Sequence, residues 1–494
     1  MINNKRILRL HILTVWALGI IMLGMAFRPI LPLVGLYTAI VIGAFLTRPA
    51  VGVTGLIMVL PFEAHFSESL PFSPFYVLAP GMLLGYWAHA NRMGNPIPFS
   101  KDLLIFGGAI VVVAFFSMAG SSFPPQYRTL MSLCLMISMV LVVSSVIKSD
   151  RHAFLLIGHG LIVAGVIAAI GGFMYIGGSD RQAVLGLDAG GRLAIGGNVR
   201  VVANSLGLPW LLLLMSVLLT RKDRTLRDGA PRIFPFEGKF LLQIILIVAF
   251  SITLIATGSR GSWIAVIGSL CCFLIAVLIA AQGGEKRFQL AYWAVPVIGF
   301  TLYVAAVVGY AYVDTELLAG RMGERLHQLI NEPLSDPRIV IWSTAFAGMS
   351  GFDWIIGTGI GTFRGVVARA GLDFYAHSVF LDLLVTTGII GSGILMILLW
   401  RIIKHLFRTH NLIGIGLFFL MVLSYSTHGS VSGKGFWISL GLVHGVSTLP
   451  SLGIVPRRTV PAHINARPRG GVGRVGIRAP RGVSPALPQH MGRL

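Results

Sequence analysis

An arginine in a tight turn is the first residue whose type and position suggest chemistry. Arg260 lies in the glycine-flanked segment Thr257–Trp263, between two long apolar runs. An arginine at such a boundary is costly unless it reaches water or has an anionic partner. The pattern therefore predicts either a guanidinium group that binds an anion, or a side chain that reaches the membrane interface with Trp263 as its aromatic anchor.

A second arginine opens a short apolar and aromatic stretch. Arg338 follows Pro337 and precedes Trp342 by four residues. Proline favours the first turn of a helix, so the stretch predicts an interfacial helix with Arg338 in its first turn. The alternative is a solvated loop in which Arg338 pairs with Asp336.

A histidine and an acidic residue follow, where the next long apolar run begins. His377 precedes Ser378, and Asp382 lies one turn into the run. Histidine is the side chain whose ordinary pKa, about 6.5, lets it accept a proton near neutral pH. It could also be a helix cap or interface residue. A carboxylate within an apolar run must face the interior of a helix bundle or water.

Several kinds of site are not indicated. The segment Gly357–Gly361 lacks the spacing and the strand and helix context of a dinucleotide-binding motif. No phosphate-binding loop, metal-binding histidine pair or Asp-rich outer loop is found. We therefore predict chemistry without a metal ion or another cofactor.

The elements that must position these residues are membrane spans. The chain has 494 residues, of which 55% are hydrophobic and only 12% charged. Helices that cross a hydrocarbon core of roughly 30 Å need about 20 apolar residues each. The composition thus predicts an all-α, polytopic transmembrane helical bundle that contacts membrane lipids.

Apolar runs predict twelve to fourteen spans. The two short runs at 50–61 and 75–90 could form a re-entrant pair, which would reduce fourteen to twelve. The predicted spans lie near 10–28, 30–47, 50–61, 75–90, 102–119, 129–147, 153–176, 204–220, 240–257, 262–281, 291–313, 378–400, 412–427 and 434–449.

The charge distribution predicts which side each loop faces. With both termini in the cytoplasm, the cytoplasmic segments hold 27 of the 39 Lys and Arg residues and 6 of the 18 Asp and Glu residues. Positive charge favours the cytoplasmic side, so the net charge of +21 reflects topology rather than nucleic-acid binding. The long loop 314–376 and the glycine-rich segment 177–203, which contains Arg192, then face the periplasm. The Arg-rich tail 450–494 is predicted to be disordered and cytoplasmic.

Taken together, these motifs resemble those of a known family. His377-Ser378 is followed, after nine residues, by Gly388-Ile-Ile-Gly391, which is similar to the His and Gly-x-x-Gly pattern of O-antigen ligases and polysaccharide polymerases. The Ser-Arg-Gly turn at Arg260, the Arg338/Trp342 pair and the Gly357–Gly361 segment occur in the matching order. The resemblance covers about residues 245–400. We divide the chain into helices 1–240, a ligase-like region 241–449 and the tail.

The resemblance implies a membrane glycosyltransferase with a GT-C-like fold in the bacterial inner membrane. It would move a glycan from undecaprenyl diphosphate to an acceptor hydroxyl at the periplasmic face. His377 would be the base, while Arg260 and Arg338 would stabilise the diphosphate. The predicted substrate contacts are Arg260, Arg338, Asp382, Trp342 and, as a guide for the donor, Arg192.

Two questions stay open on the sequence: which acceptor is used, and whether the chain is an enzyme or a flippase. The acceptor could be lipid A core, a protein side chain or another lipid-linked glycan, and the last of these would make the enzyme a polymerase. A lipid-linked glycan flippase would also have many spans and buried arginines. The candidate residues lie at the outer boundary rather than in the middle of spans, and no internal repeat is evident, which favours catalysis.

Overall fold

The computed structural model confirms the all-α class. It describes residues 2–27, 31–62, 66, 73–94, 97–124, 126–150, 152–173, 199–220, 239–257, 259–280, 337–427, 429, 431 and 433–449. Sixteen α-helices and one 3₁₀ turn, and no strand, occur within these ranges. Backbone donors and acceptors in a bilayer must be satisfied within the protein, and helices achieve this within a single segment.

The helices follow the predicted apolar runs closely. They are α1 (Ile2–Phe27), α2 (Leu31–Thr47), α3 (Pro49–Val59), α4 (Phe75–Arg92), α5 (Lys101–Ala119), α6 (Tyr127–Ser149), α7 (Ala153–Phe173), α8 (Val199–Thr220), α9 (Phe240–Ala256), α10 (Arg260–Ala280), α11 (Pro337–Ala347), α12 (Asp353–Ile356), α13 (Phe363–Ala368), α14 (Val379–Arg408), α15 (Leu412–Thr427) and α16 (Lys434–Ser447). The 3₁₀ turn, Leu60–Phe62, extends α3.

Six of the described helices are long and apolar enough to cross a membrane. They include α1, α5, α6, α7, α10 and α14. Shorter apolar helices, such as α2 and α15, accompany them. The chain is therefore a multi-pass membrane protein. The predicted span 291–313 and tail 450–494 lie outside the described residues, so the number of spans and the domain boundaries stay predictions.

Polar contacts define two ends of the bundle around α14. Near one end, Arg401 pairs with Asp102 at 3.1 Å, at the first turn of α5. His405 lies 3.1 Å from the carbonyl oxygen of Ser447, at the last residue of α16. We call this the Arg401 end, and the opposite end, where α14 begins after Ser378, the His377 end. The separation of the two ends follows from the antiparallel packing of α5 and α14.

One glycine allows α10 and α15 to pack closely, and a second lies in ordinary contact across the same interface. A methyl group at Gly268 would lie 2.7 Å from the side chain of Leu423, and one at Gly416 would lie 3.5 Å from Phe273. Small residues let helix backbones approach closely in membranes, where burial of apolar surface gives little driving force. These contacts also fix an antiparallel register, with Gly268 opposite Leu423 and Phe273 opposite Gly416.

Candidate functional site

His377 has an unusual backbone conformation immediately before α14. Its φ is 52°, in the left-handed region that side chains other than glycine rarely adopt. Ser378 returns to extended backbone, and its hydroxyl accepts a hydrogen bond from the Leu381 N–H at 3.4 Å. A left-handed non-glycine residue costs about 1–3 kcal/mol and persists only where its surroundings hold it. Such strain is typical of functional sites.

Trp342 connects α11 to the residue before the histidine. Its indole Nε1–H donates a hydrogen bond of 2.8 Å to the carbonyl oxygen of Ala376. Arg338 lies one turn earlier on α11 and is partly buried. A small hydrophobic cluster reinforces the connection; its buried members are Ile341, Ala345, Met349, Phe363, Val366, Val367, Ala376 and Val385. We call residues 337–376, which include helices α11 to α13, the lobe.

Asp382 anchors a second segment beside the histidine. Its side chain is only 4% exposed, and its Oδ2 accepts a hydrogen bond of 2.7 Å from the Val431 N–H. The carbonyl oxygen of Val431 in turn accepts one of 2.7 Å from the indole of the buried Trp437. The carboxylate thus positions the connection between α15 and α16. The predicted contact of Asp382 with substrate stays a prediction, since this oxygen is engaged by the protein.

Arg260 is the first residue of α10, and its side chain is not among those described. The preceding turn is held by the Thr257 hydroxyl, which accepts from the Ser259 N–H at 3.3 Å. The Trp263 indole donates to the Leu254 carbonyl at 2.9 Å. Because Gly268 faces Leu423, the antiparallel register places the start of α10 about one turn beyond the end of α15, at the His377 end.

α14 is broken at Gly388, in the Gly-x-x-Gly motif. Gly388 has φ 65° and ψ −168°, a combination essentially restricted to glycine. A break frees carbonyl groups that would otherwise accept from the next turn. Val385 accepts instead from the Thr358 N–H at 2.9 Å, and Thr386 accepts from the Gly359 N–H at 3.1 Å. The lobe therefore satisfies the carbonyls at the kink.

The glycines of the 357–361 segment make this contact possible. Gly357, Gly359 and Gly361 all have positive φ, of 85°, 108° and 80°. A methyl group at Gly357 would lie 2.3 Å from the backbone of Thr386. Sequence reasoning recognised the segment and the Gly-x-x-Gly motif separately, but did not predict that one packs on the other. The positive φ values explain why glycine is required here.

An exposed ion pair lies on the lobe just before His377. Arg364 pairs with Asp373, and the guanidinium group lowers the pKa of that carboxyl. The same guanidinium lies 5.5 Å from the ring centroid of Tyr375. In the described part of the chain, no group of three or more His, Cys, Asp or Glu residues could hold a metal ion.

The structure brings four of the predicted site elements to one end of the bundle. The helix that carries Arg338 and Trp342 is bonded to the residue before His377, Asp382 lies in the first turn of α14, and α10 begins with Arg260 at the same end of the bundle. Arg192 lies outside the described residues. Sequence reasoning missed Val431, Thr358 and Trp437, because their roles depend on contacts between distant segments.

Comparison with known families agrees with this region. Residues 245–396 match the family model described as O-antigen ligase. The matched segment includes the Arg260 turn, the lobe, His377 and the kink at Gly388. No curated protein matches the chain.

Proposed function

We propose a specific reaction from the premise that residues 245–396 match the O-antigen ligase family model, which supports membership of the chain in the O-antigen ligase superfamily. The family supports a membrane glycosyltransferase of the ligase or polymerase type in general terms. We propose that this chain transfers a glycan from undecaprenyl diphosphate to an acceptor hydroxyl at the periplasmic face of the inner membrane, without a metal ion.

The Trp342–Ala376 hydrogen bond is the observation that carries this proposal. It ties the helix of Arg338 to Ala376, the residue before His377, whose own backbone is strained. The Asp382–Val431 bond fixes the connection between α15 and α16 at the same end of the bundle, where α10 also begins. Two arginines and a histidine at one end of a membrane bundle suit a reaction that needs a base and a stabilised anionic leaving group.

In the proposed reaction, His377 accepts the proton of the acceptor hydroxyl. The hydroxyl oxygen then forms a bond to the anomeric carbon of the donor glycan, while the bond from that carbon to the diphosphate oxygen breaks. The electron pair of the broken bond leaves with undecaprenyl diphosphate. A single displacement of this kind inverts the anomeric centre.

Arg260 and Arg338 are proposed to bind the diphosphate. Its negative charge grows as the glycosidic bond breaks, and the guanidinium group stays charged at any physiological pH. A planar guanidinium also donates two parallel hydrogen bonds to phosphate oxygens, which lysine cannot do. Such groups stabilise the leaving group at the moment its charge develops.

Replacement of the proposed base tests the reaction. In vesicles with a defined undecaprenyl-diphosphate glycan, His377→Ala should retain donor binding and lower transfer by about 10²- to 10⁴-fold, the usual contribution of a positioned base. His410→Ala is a matched control, because His410 also has a positive φ, 50°, but lies at the Arg401 end of α14. The control should transfer glycan at the normal rate.

The same variants distinguish the enzyme from a flippase. If the protein were a flippase, its His377→Ala variant would continue to move the lipid-linked glycan across the membrane. Its wild-type form would make no new glycosidic bond. Normal transfer by His377→Ala would remove the histidine from the mechanism. Loss of transfer in both histidine variants would indicate backbone strain rather than proton transfer.

The acceptor separates a ligase from a polymerase, which share this chemistry. The wild-type protein can be offered lipid A core and a second lipid-linked glycan as competing acceptors in one reaction. Products on lipid A core would identify a ligase, and longer lipid-linked chains would identify a polymerase. A protein acceptor is tested in a third reaction of the same design.

A further inference from the structure

The lobe exposes a compact apolar surface next to the kink in α14. Phe352, Trp354 and Ile355 are 67%, 37% and 44% exposed. Trp354 stacks on Phe346, with ring centroids 5.7 Å apart and an angle of 18° between the planes, so the surface is fixed to the lobe. We call Phe352, Trp354 and Ile355 the lobe patch. Large apolar side chains exposed together in this way usually mark a binding surface.

The lobe patch adjoins the lipid-facing surface of α14. A methyl group at Gly388 would lie 2.2 Å from the carbonyl oxygen of Ile355, so α12 lies directly against the kink. The next residues of α14, Ile389 and Ile390, are 60% and 43% exposed. The patch and the exposed face of the span therefore meet at Gly388.

Two distances along the bundle give the height of the patch above the Arg401 end. Gly120, just past α5, lies beside Ile356, since a methyl group there would be 3.2 Å from its side chain. The 19 residues of α5 rise about 28 Å. Along α14, the 13 residues from Gly388 to Arg401 rise about 20 Å. The two estimates place the patch about 20–28 Å from the Arg401 end, in the part of a hydrocarbon core of about 30 Å that is nearer the His377 side.

The backbone of this segment is suited to contact with lipid. Non-helical backbone at membrane depth is tolerated only where the protein satisfies its polar groups. The Gly357 N–H donates to the Asp353 carbonyl at 2.8 Å, and the Thr358 and Gly359 N–H groups donate to the kink carbonyls. Lipid could therefore cover the patch without leaving these amides unpaired.

We propose that the lobe patch inserts into the lipid leaflet on the His377 side and contacts phospholipid. Aromatic residues are enriched at the membrane–water boundary of membrane proteins, toward which the patch lies. Because the lobe is also bonded to Ala376 through Trp342, the lipid contact fixes the height of His377 relative to the leaflet.

Spin-label accessibility tests this contact. In a chain whose Cys134, Cys271 and Cys272 are replaced by alanine, nitroxide labels are placed in Phe352→Cys and in Ile355→Cys. Ile389→Cys provides a lipid-facing reference, and Tyr375→Cys, 60% exposed on the same lobe, provides an aqueous reference. Power saturation in phospholipid vesicles then compares collisions with oxygen and with a water-soluble nickel chelate.

The expected oxygen-to-nickel ratio at positions 352 and 355 is close to that at 389 and severalfold above that at 375. A ratio equal to that at 375 would overturn the proposal. If one labelled variant fails to fold, the other gives the same comparison. No glycan substrate is present, so the outcome is independent of the proposed transferase activity.

Discussion

Near its His377 end, α14 buries the Asp382 carboxylate and breaks at Gly388, whereas near its Arg401 end it is a regular helix with half-exposed charges; a histidine with positive φ flanks each end. Arg401 forms an ion pair with Asp102, and both side chains are about half exposed. The Thr409 N–H caps the end of the helix by donating to the His405 carbonyl. The two halves of α14 therefore differ in their backbone and in the burial of their charges. The left-handed histidines do not distinguish the two ends, so the comparison rests on the buried Asp382 and the kink at Gly388.

A substitution at the kink in α14 should cause the largest loss of stability. Gly388→Ala combines a glycine-only conformation with a methyl group 2.2 Å from the Ile355 carbonyl oxygen. The two terms together should lower the free energy of unfolding by about 2–6 kcal/mol. Thermal unfolding of the purified protein in detergent measures this loss.

Gly393→Ala is the matched control on the same helix, because a methyl group there would meet nothing within 4 Å. Alanine should stabilise that position slightly, by up to about 1 kcal/mol, through its helix propensity. Equal unfolding temperatures for the two variants would show that the kink is not required.

Replacement of the buried Asp382 carboxylate should cause the next largest loss of stability. Asp382→Ala leaves the buried Val431 N–H without its acceptor, at a cost of about 1–3 kcal/mol. Asp382→Asn keeps an acceptor oxygen and should lose less. Unfolding and transfer are measured on both variants. Normal stability with lost transfer in Asp382→Asn would favour the direct substrate contact predicted from sequence over a positioning role.

Asp102→Asn repeats this change at the Arg401 end. Asp102 pairs with Arg401 where both side chains are about half exposed. Exposed ion pairs contribute about 0–1 kcal/mol, so the variant should unfold almost as the wild type does. A loss as large as that of Asp382→Ala would remove the distinction between the two ends.

The sequence predicts the regular parts of this molecule well, because apolar runs long enough for a bilayer have few alternatives to a helix. The predicted span 102–119 and α5, Lys101–Ala119, differ by one residue. The run at 378–400 becomes α14, but its break at Gly388 was not predicted. Glycine in an apolar run is compatible with both a straight and a broken helix.

The contacts that build the site are harder to predict. The Asp382–Val431 bond joins residues 49 apart in sequence, and the Trp342–Ala376 bond joins residues 34 apart. Neither pairing follows from local spacing, since Val431 contributes only its backbone N–H. The sequence identifies His377 and Arg338 by residue type, whereas the elements that hold them together depend on tertiary packing.

Loss of the hydrogen bond between α11 and the residue before His377 should have a moderate effect on glycan transfer. Trp342→Phe keeps the ring but loses the hydrogen bond to Ala376, worth about 0.5–1.5 kcal/mol. If this bond holds His377 in position, transfer should fall by up to about tenfold, with a small loss of stability. Trp354→Phe is the control, because phenylalanine can retain the stack on Phe346. Unchanged transfer in Trp342→Phe would show that the hydrogen bond from α11 does not position the proposed base, His377.

The smallest effect is expected at the exposed Arg364–Asp373 pair, which lies near the His377 end without being buried. Arg364 lowers the pKa of Asp373 below its ordinary value of 3.8. The folded state therefore favours the ionised carboxyl, so the pair stabilises the fold above that ordinary value and loses this contribution as pH falls through the lowered pKa. Wild type should unfold at a slightly higher temperature than Asp373→Asn at pH 7, with the difference vanishing in acid and shrinking in high salt. If the difference in unfolding temperature instead grows as pH falls, the folded state does not favour the ionised carboxyl, and this pairing is excluded.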